Sequence, residues 1–155
     1  MASLTPYILQ NAHWQAGILP QTGASIAFGR MRYSGTWLDI LRPTSPQDYS
    51  SSSLCASFVM LPWANRIGAG LLRFMGAHYA LRTADDGTAR HGDVRQRAWT
   101  VLEGDERRLH LEIRSSDHPD MNFPFQFSAQ LEFTLEDAKF NIRTLLRSED
   151  ERPFP

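Results

Sequence analysis

The sequence predicts an all-β protein, an antiparallel sandwich or barrel. Residues 123–135 alternate without a slip: every odd position is apolar, and every even position except Pro124 is polar. A period of two buries one face of a strand and leaves the other face in water. Further apolar stretches follow at hairpin spacing, and no segment has a convincing 3.6-residue period. Closely spaced hairpins without helices are typical of antiparallel sheets.

Each predicted strand follows from a short apolar run bounded by turn residues. Pro124 is expected at the start of its strand, where its missing N–H costs least. A single apolar strand is predicted at 58–61, and the polar run 44–53 is predicted to be a loop with nothing to bury. Hairpins are predicted to pair 25–31 with 36–41, 71–74 with 79–81, 99–102 with 109–113, and 123–135 with 140–146.

Composition and charge exclude several classes of function. A chain of 155 residues, 42% hydrophobic and 21% charged, suits one globular domain. Its net charge of −1 provides no electrostatic footprint for nucleic acid or an anionic membrane surface. No apolar run approaches the ~20 residues of a membrane span, and the first residues do not have a secretory-signal pattern. Because Cys55 is the only cysteine, a reducing, cytoplasmic location is expected.

Two short segments carry the polar chemistry. The first is Leu-Pro-Trp-Ala-Asn-Arg-Ile at 61–67, and the second is Arg-His-Gly-Asp at 90–93. Asn65 and Arg66 provide amide and guanidinium donors on a predicted loop, and His91 titrates near neutral pH. Sugars bind through fixed donors and acceptors and by stacking on aromatic rings, which Trp63 and Trp99 supply. The two segments therefore predict a sugar site.

In order and in kind, these segments resemble the aldose 1-epimerase (galactose mutarotase-like) family. Leu-Asp-Ile-Leu-Arg at 38–42 and Phe-Pro-Phe at 123–125 are similar to strands of that family, so the resemblance covers nearly the whole chain. It implies a galactose mutarotase-like sandwich that interconverts the α and β anomers of a free hexose without a cofactor. It also implies that His91 and Arg66 are catalytic and that Asn65 binds a hydroxyl. We expect Trp63 to line the pocket, a role that the resemblance does not assign.

The chain departs from the family pattern in one respect. In the family, the histidine of a His-Pro-aromatic motif is the acid and a later glutamate is the base, and neither has a counterpart among these residues. We therefore expect the N-terminal half of an aldose 1-epimerase, a single sandwich domain over 1–155 that is incomplete at its C-terminus. Such a piece is expected to be inactive alone and to associate with a second copy or with a complementary C-terminal half.

Alternatives to this reading remain open. The first is a non-catalytic carbohydrate-binding module on the same scaffold, since fold does not determine function. The second is a hexose-phosphate mutarotase, which would use Arg95 and Arg97 near His91. No metal is predicted, because a metal site needs three or four converging ligands, whereas the sequence offers only pairs such as His91 with Asp93 and His110 with Glu112.

Overall fold

Strands dominate the computed structural model, which describes residues 4–155. Those residues contain no α-helix, only four single 3-10 turns, and no helix among them is long and apolar enough to cross a membrane. The predicted all-β class is confirmed. The strands are β1 (Tyr7–Gln10), β2 (Trp14–Leu19), β3 (Ser25–Tyr33), β4 (Thr36–Leu41), β5 (Arg66–Gly68), β6 (Leu71–Phe74), β7 (Ala77–Ala80), β8 (Thr88–Arg90), β9 (Thr100–Gly104), β10 (Arg108–Arg114), β11 (Phe127–Glu136) and β12 (Lys139–Ser148). The 3-10 turns are Pro46–Asp48, Ser52–Leu54, Val94–Gln96 and Ser115–Asp117.

Two four-stranded antiparallel sheets, in the orders β1-β2-β3-β4 and β12-β11-β10-β9, enclose the main core. Two ribbons, β5-β8 and β6-β7, lie outside these sheets. Removing apolar side chains from water drives the two sheets together. The predicted antiparallel sandwich is confirmed. The buried side chains include Leu9, Ile18 and Ile26 from the first sheet and Leu109, Leu111, Leu131 and Phe133 from the second.

All four predicted hairpins form. In β3-β4 and β6-β7 the connections are the two-residue turns Ser34-Gly35 and Met75-Gly76, and both residues of each turn have positive φ. A two-residue turn with this geometry matches the right-handed twist of the flanking strands. In β10-β11 the odd residues of β11 face the core, as the alternation predicts.

The long alternating run does not form a strand from its first residue. β11 begins at Phe127, so the prediction of a strand from 123, with Pro124 at its start, is wrong for the first four residues. The Gln126 N–H donates to the Asp150 carboxylate at 2.8 Å and the Phe127 N–H to Ser115 Oγ at 2.8 Å, so these two N–H groups bond to side chains and not to a neighbouring strand. Its aromatic rings nevertheless remain in the core.

Three other expectations differ from the structure. β1 and β2 are absent from the sequence prediction, which begins the sheet too late. Residues 58–61 are not a strand, and the Leu61 carbonyl accepts its hydrogen bond from the loop N–H of Asp93 at 2.9 Å. The run 44–53 is indeed strand-free, but it contains one 3-10 turn and the start of a second. It also buries Thr44 and Ser52, which are 5% and 0% exposed.

Candidate functional site

The β5-β8 ribbon joins the two segments that the sequence singles out. Arg66 lies opposite Arg90 in the ribbon, and the His91 N–H donates to the Asn65 carbonyl at 2.7 Å. Arg66 is therefore the first residue of a short strand. The sequence prediction, which placed Arg66 on a loop, is wrong in this respect. Asn65 and His91 both have left-handed backbones, with φ of 57° and 63°. Non-glycine residues seldom adopt this conformation, and Asn and His are enriched among those that do.

Gly92 holds the His91 loop against the 61–67 segment. The Leu61 carbonyl accepts hydrogen bonds from the Asp93 N–H at 2.9 Å and from the Val94 N–H at 3.4 Å. Gly92 has φ of 67°, and a Cβ at this position would lie 1.9 Å from the Leu61 oxygen. Because no side chain fits there, the close backbone approach depends on glycine.

The His91 imidazole is partly enclosed, and its surroundings disfavour the protonated ring. Its ring meets the Phe58 ring edge-on, with centroids 5.8 Å apart. Burial lowers the pKa of His91 below its usual range, and the positive charges of Arg95, Arg66 and Arg90 lower it further. Its Nδ1 is buried and has no hydrogen-bond partner among residues 4–155. A neutral imidazole has one donor and one acceptor, so this ring retains unused hydrogen-bonding capacity.

The Arg66 guanidinium is paired on its own ribbon. It donates to the Asp86 carboxylate and, at 3.1 Å, to Thr88 Oγ1, and Arg90 lies 3.8 Å from the same carboxylate. Hydrogen bonds from the Thr88 hydroxyl and N–H hold the pKa of Asp86 below its usual range, and the charges of Arg66 and Arg90 act in the same direction. Both members of the Arg66–Asp86 pair are about 40% exposed, so water competes for the contact.

Sequence reasoning missed the residues that surround Arg66 and His91. Asp86 and Thr88 orient Arg66, and Phe58 packs on His91. The Asp-Asp-Gly turn at 85–87 is the only sequence signal for this ribbon, and strands of three residues are too short to show periodicity.

The two tryptophans have different environments. Trp63 stacks on Phe123, with ring centroids 5.9 Å apart at 28°, and its Nε1 donates to the Ala89 carbonyl at 3.4 Å. Trp63 therefore packs the 61–67 segment against the core. Its contact with a sugar remains a prediction. Trp99 is only 2% exposed and belongs to the main core, which places it out of reach of a surface ligand.

Arg95 and Arg97, which the hexose-phosphate alternative would use, have different surroundings. Arg97 is held by carboxylate oxygens of Asp93 and Asp120, at 2.5 Å and 2.9 Å, and its side chain is largely buried. Arg95 lies over the Phe58 ring at 5.6 Å and donates to Ser53 Oγ at 3.1 Å. Arg95 thus adds positive charge beside His91, whereas Arg97 is neutralised by its own partners.

An apolar cleft of about 290 Å³ adjoins these segments. One wall comes from residues 57–61 and Ala64, and the other comes from the core-facing side of β11 and β12. The part of the chain that the structure describes contains no group of three His, Cys, Asp or Glu side chains placed to hold a metal ion.

The aldose 1-epimerase family model matches residues 7–155. The chain belongs to the aldose 1-epimerase family. Similar solved structures include a putative aldose 1-epimerase from Escherichia coli K12, with 19% identity and a TM-score of 0.75 over 93% of this chain and 46% of that one. A GalM/aldose epimerase homologue from Caenorhabditis elegans has 19% identity and a TM-score of 0.80 over 94% and 46%. No curated protein matches the chain in sequence.

A galactose 1-epimerase from Lactobacillus acidophilus is similar at 21% identity, with a TM-score of 0.65 over 90% of this chain and 42% of that one. At these identities the likeness establishes the galactose mutarotase-like fold alone. The chain spans about half the length of the solved structures that it matches.

Proposed function

We propose that this chain forms the N-terminal part of the sugar site of an aldose 1-epimerase that acts on a free hexose. The observation that carries the proposal is the meeting of Asn65, Arg66 and His91 at one end of the β5-β8 ribbon. The unpartnered, buried Nδ1 of His91 adds support, since an unsatisfied polar atom is costly and is a natural place for a ligand.

In mutarotation, a base removes the proton from O1 while an acid protonates the ring oxygen. The C1–O5 bond breaks, O1 becomes the aldehyde oxygen, and O5 then attacks the opposite face of C1 in the reverse sequence. By the family resemblance, Arg66 and His91 hold the ring-oxygen side and Asn65 binds a hydroxyl. We assign the acid and the base to polypeptide outside residues 1–155.

The electrostatics of the site suit this role. A neutral His91 donates a hydrogen bond to a sugar oxygen without the desolvation cost of an imidazolium. Arg66 stabilises the negative charge that develops on oxygen as the ring opens, provided that its guanidinium turns from Asp86 toward the sugar. The exposure of the Arg66–Asp86 pair makes this exchange inexpensive.

A hexose phosphate is the second candidate substrate. Arg66, Arg90 and Arg95 surround His91, and the nearby carboxylate of Asp86 offsets only one of these three charges. Such an excess of guanidinium groups favours a phosphorylated ligand. Arg97 does not contribute, because Asp93 and Asp120 occupy it. The cytoplasmic location remains a prediction from the single cysteine.

Backbone NMR shifts of the 1–155 chain titrated with D-galactose test the proposal. We expect shifts at Asn65, Arg66 and His91, with a dissociation constant on the order of millimolar. Arg66→Ala should weaken binding by about tenfold or more, because a charged hydrogen bond contributes about 1.5–3 kcal/mol. Arg73→Ala, an exposed arginine on β6, is the matched control and should leave binding unchanged.

Two further readouts separate the alternatives. Polarimetry of freshly dissolved α-D-galactose should give the buffer rate with the 1–155 chain, and full catalysis would show that the acid and base lie within it. If galactose 6-phosphate binds at least about tenfold more tightly than galactose, the hexose-phosphate candidate replaces the free sugar. No shift with either ligand would refute the sugar site.

A further inference from the structure

An open cleft of about 730 Å³ lies on the outer face of the first sheet. Side chains of β1 alternate across this sheet, so that Leu9 enters the core while Ile8 and Gln10 face the other side. The cleft shares no lining residue with the 61–67 and 90–93 segments. Its volume is within the range of small-molecule sites, about 300–1,000 Å³. Its polar and aromatic lining includes Gln10, Arg32, Trp37, Glu106 and Arg107.

The backbone at one end of the cleft is fixed by contacts between the two sheets. The Gln10 N–H donates to the Glu106 carbonyl at 2.6 Å, which joins β1 to the turn between β9 and β10. Within that turn, the Asp105 carboxylate accepts hydrogen bonds from the N–H groups of Arg107 and Arg108, at 2.7 Å and 2.8 Å. The side chains of Glu106 and Arg107 are therefore held beside β1.

Arg32 and Arg107 bring positive charge to the cleft. Among residues 4–155, neither of them forms an ion pair, whereas the adjacent Arg108 pairs with Glu103 and Glu132. Arg32 lies on β3 and Arg107 beside β1; because neighbouring strands are about 4.8 Å apart, their backbones are separated by roughly 10 Å or more. This spacing favours a ligand with anionic groups on successive units over a single small anion.

Trp37 provides an aromatic surface next to these charges. It lies opposite Arg32 in the β3-β4 register and is partly exposed. The Arg30 guanidinium lies over the Trp37 ring, 5.6 Å from its centroid, and Arg30 Nε donates to Gln15 Oε1 at 2.7 Å. A fixed guanidinium therefore supports the ring. The apolar face of a pyranose stacks on such an aromatic surface.

Gln10 and Glu106 add a donor and an acceptor for hydroxyl groups. The Gln10 side-chain oxygen accepts a hydrogen bond from Gln15 Nε2, which leaves the Gln10 NH2 group as a donor. The Glu106 carboxylate accepts hydrogen bonds from hydroxyls but repels phosphate. With a net charge of −1 for the chain, this carboxylate disfavours a nucleic acid in the cleft. The donors and the acceptor together suit a ligand that carries both anionic groups and hydroxyls.

We propose that this cleft is a second carbohydrate site and that its ligand is an acidic oligosaccharide. Arg32 and Arg107 pair with carboxylate or sulfate groups on different sugar units, and Trp37 stacks on a sugar ring. Gln10 and Glu106 bind hydroxyls. The site goes beyond the proposed mutarotase function, because it uses none of the residues of that site.

Backbone NMR shifts of the 1–155 chain in about 0.15 M salt, titrated with three tetrasaccharides, test the inference. These are tetragalacturonate, which carries carboxylates, a κ-carrageenan tetrasaccharide, which carries sulfates, and neutral tetragalactose. We expect shifts at Gln10, Trp37 and Arg107, and binding of an acidic ligand about tenfold or more tighter than that of tetragalactose. The double variant Arg32→Gln, Arg107→Gln should remove this preference. Arg73→Gln, on β6 outside the cleft, is the matched control and should leave the preference unchanged.

Trp37→Ala should weaken the binding of all three tetrasaccharides by a similar factor, because stacking does not depend on the charge of the ligand. The acidic tetrasaccharide that binds more tightly identifies the anionic group. Equal affinity for the acidic and neutral tetrasaccharides, or shifts confined to the 61–67 and 90–93 segments, would overturn the inference. Tighter binding of a four-nucleotide single-stranded DNA than of either acidic tetrasaccharide would also overturn it, since a nucleic acid would then be the ligand.

Discussion

Replacing Gly92 by alanine tests whether the close approach to Leu61 positions His91. The added Cβ would lie 1.9 Å from the Leu61 oxygen, whereas real Cβ contacts stay above 3.0 Å, so the backbone must move by roughly 1 Å. Alanine at φ of 67° also costs about 1–2 kcal/mol. The displacement would break two hydrogen bonds to the Leu61 carbonyl, each contributing about 1 kcal/mol. We expect Gly92→Ala to lose about 3–4 kcal/mol of unfolding free energy.

Gly87→Ala is the matched control. Gly87 has φ of 73°, but a Cβ there meets no atom within 4 Å, so only the conformational cost applies. We expect Gly87→Ala to lose about 1–2 kcal/mol. Urea unfolding of the 1–155 chain, followed by tryptophan fluorescence, measures both variants. Equal losses, within about 0.5 kcal/mol, would refute the steric argument. If Gly92→Ala does not fold while Gly87→Ala does, the predicted order holds.

Two other predictions concern ionisation and packing. The pKa of His91 is lowered in the folded chain, so as pH falls the unfolded chain takes up this proton before the folded chain does. The contribution of His91 to stability should therefore be intact above about pH 6.5 and should be lost as pH falls through its folded pKa. An NMR titration of the His91 ring should give a midpoint below pH 6.5, and this midpoint should rise in Arg95→Gln. A midpoint at or above pH 6.5 would contradict the prediction. Phe133→Ala should cost about 3–5 kcal/mol, because its ring is fully buried. Ile142→Ala should cost less than about 1 kcal/mol, because Ile142 is half exposed, and equal losses by urea unfolding would contradict this difference in burial.

Strand prediction succeeded where one face of a strand is buried and the other is wet. The odd residues of β11 enter the core and the even ones do not, and this alternation is visible in the sequence. It failed at 123–126, where the same alternation continues through a segment in which the Gln126 N–H bonds to the Asp150 carboxylate instead of a strand. Side-chain pattern reports burial, and it does not report which group accepts each backbone hydrogen bond.

The predicted site residues differ in how far the sequence alone could place them. Asn65, Arg66 and His91 stand out by type, and the family resemblance supplies their roles as expectations. The β5-β8 ribbon brings their backbones together, and its three-residue strands are too short to be predicted from periodicity. Trp63 and Trp99 cannot be distinguished in the sequence, yet Trp63 packs the 61–67 segment against the core, whereas Trp99 is buried within the core.

The sequence by itself determined the all-β class, the four hairpins and the family to which the chain belongs, because alternation, turn residues and short motifs are local properties of the chain. Only the tertiary structure decided that Asp86 and Thr88 hold Arg66, that burial and neighbouring arginines lower the pKa of His91, and that Gly92 allows the His91 loop to pack against Leu61. These features depend on distances between segments far apart in sequence, which are established only when the sheets pack around a shared core.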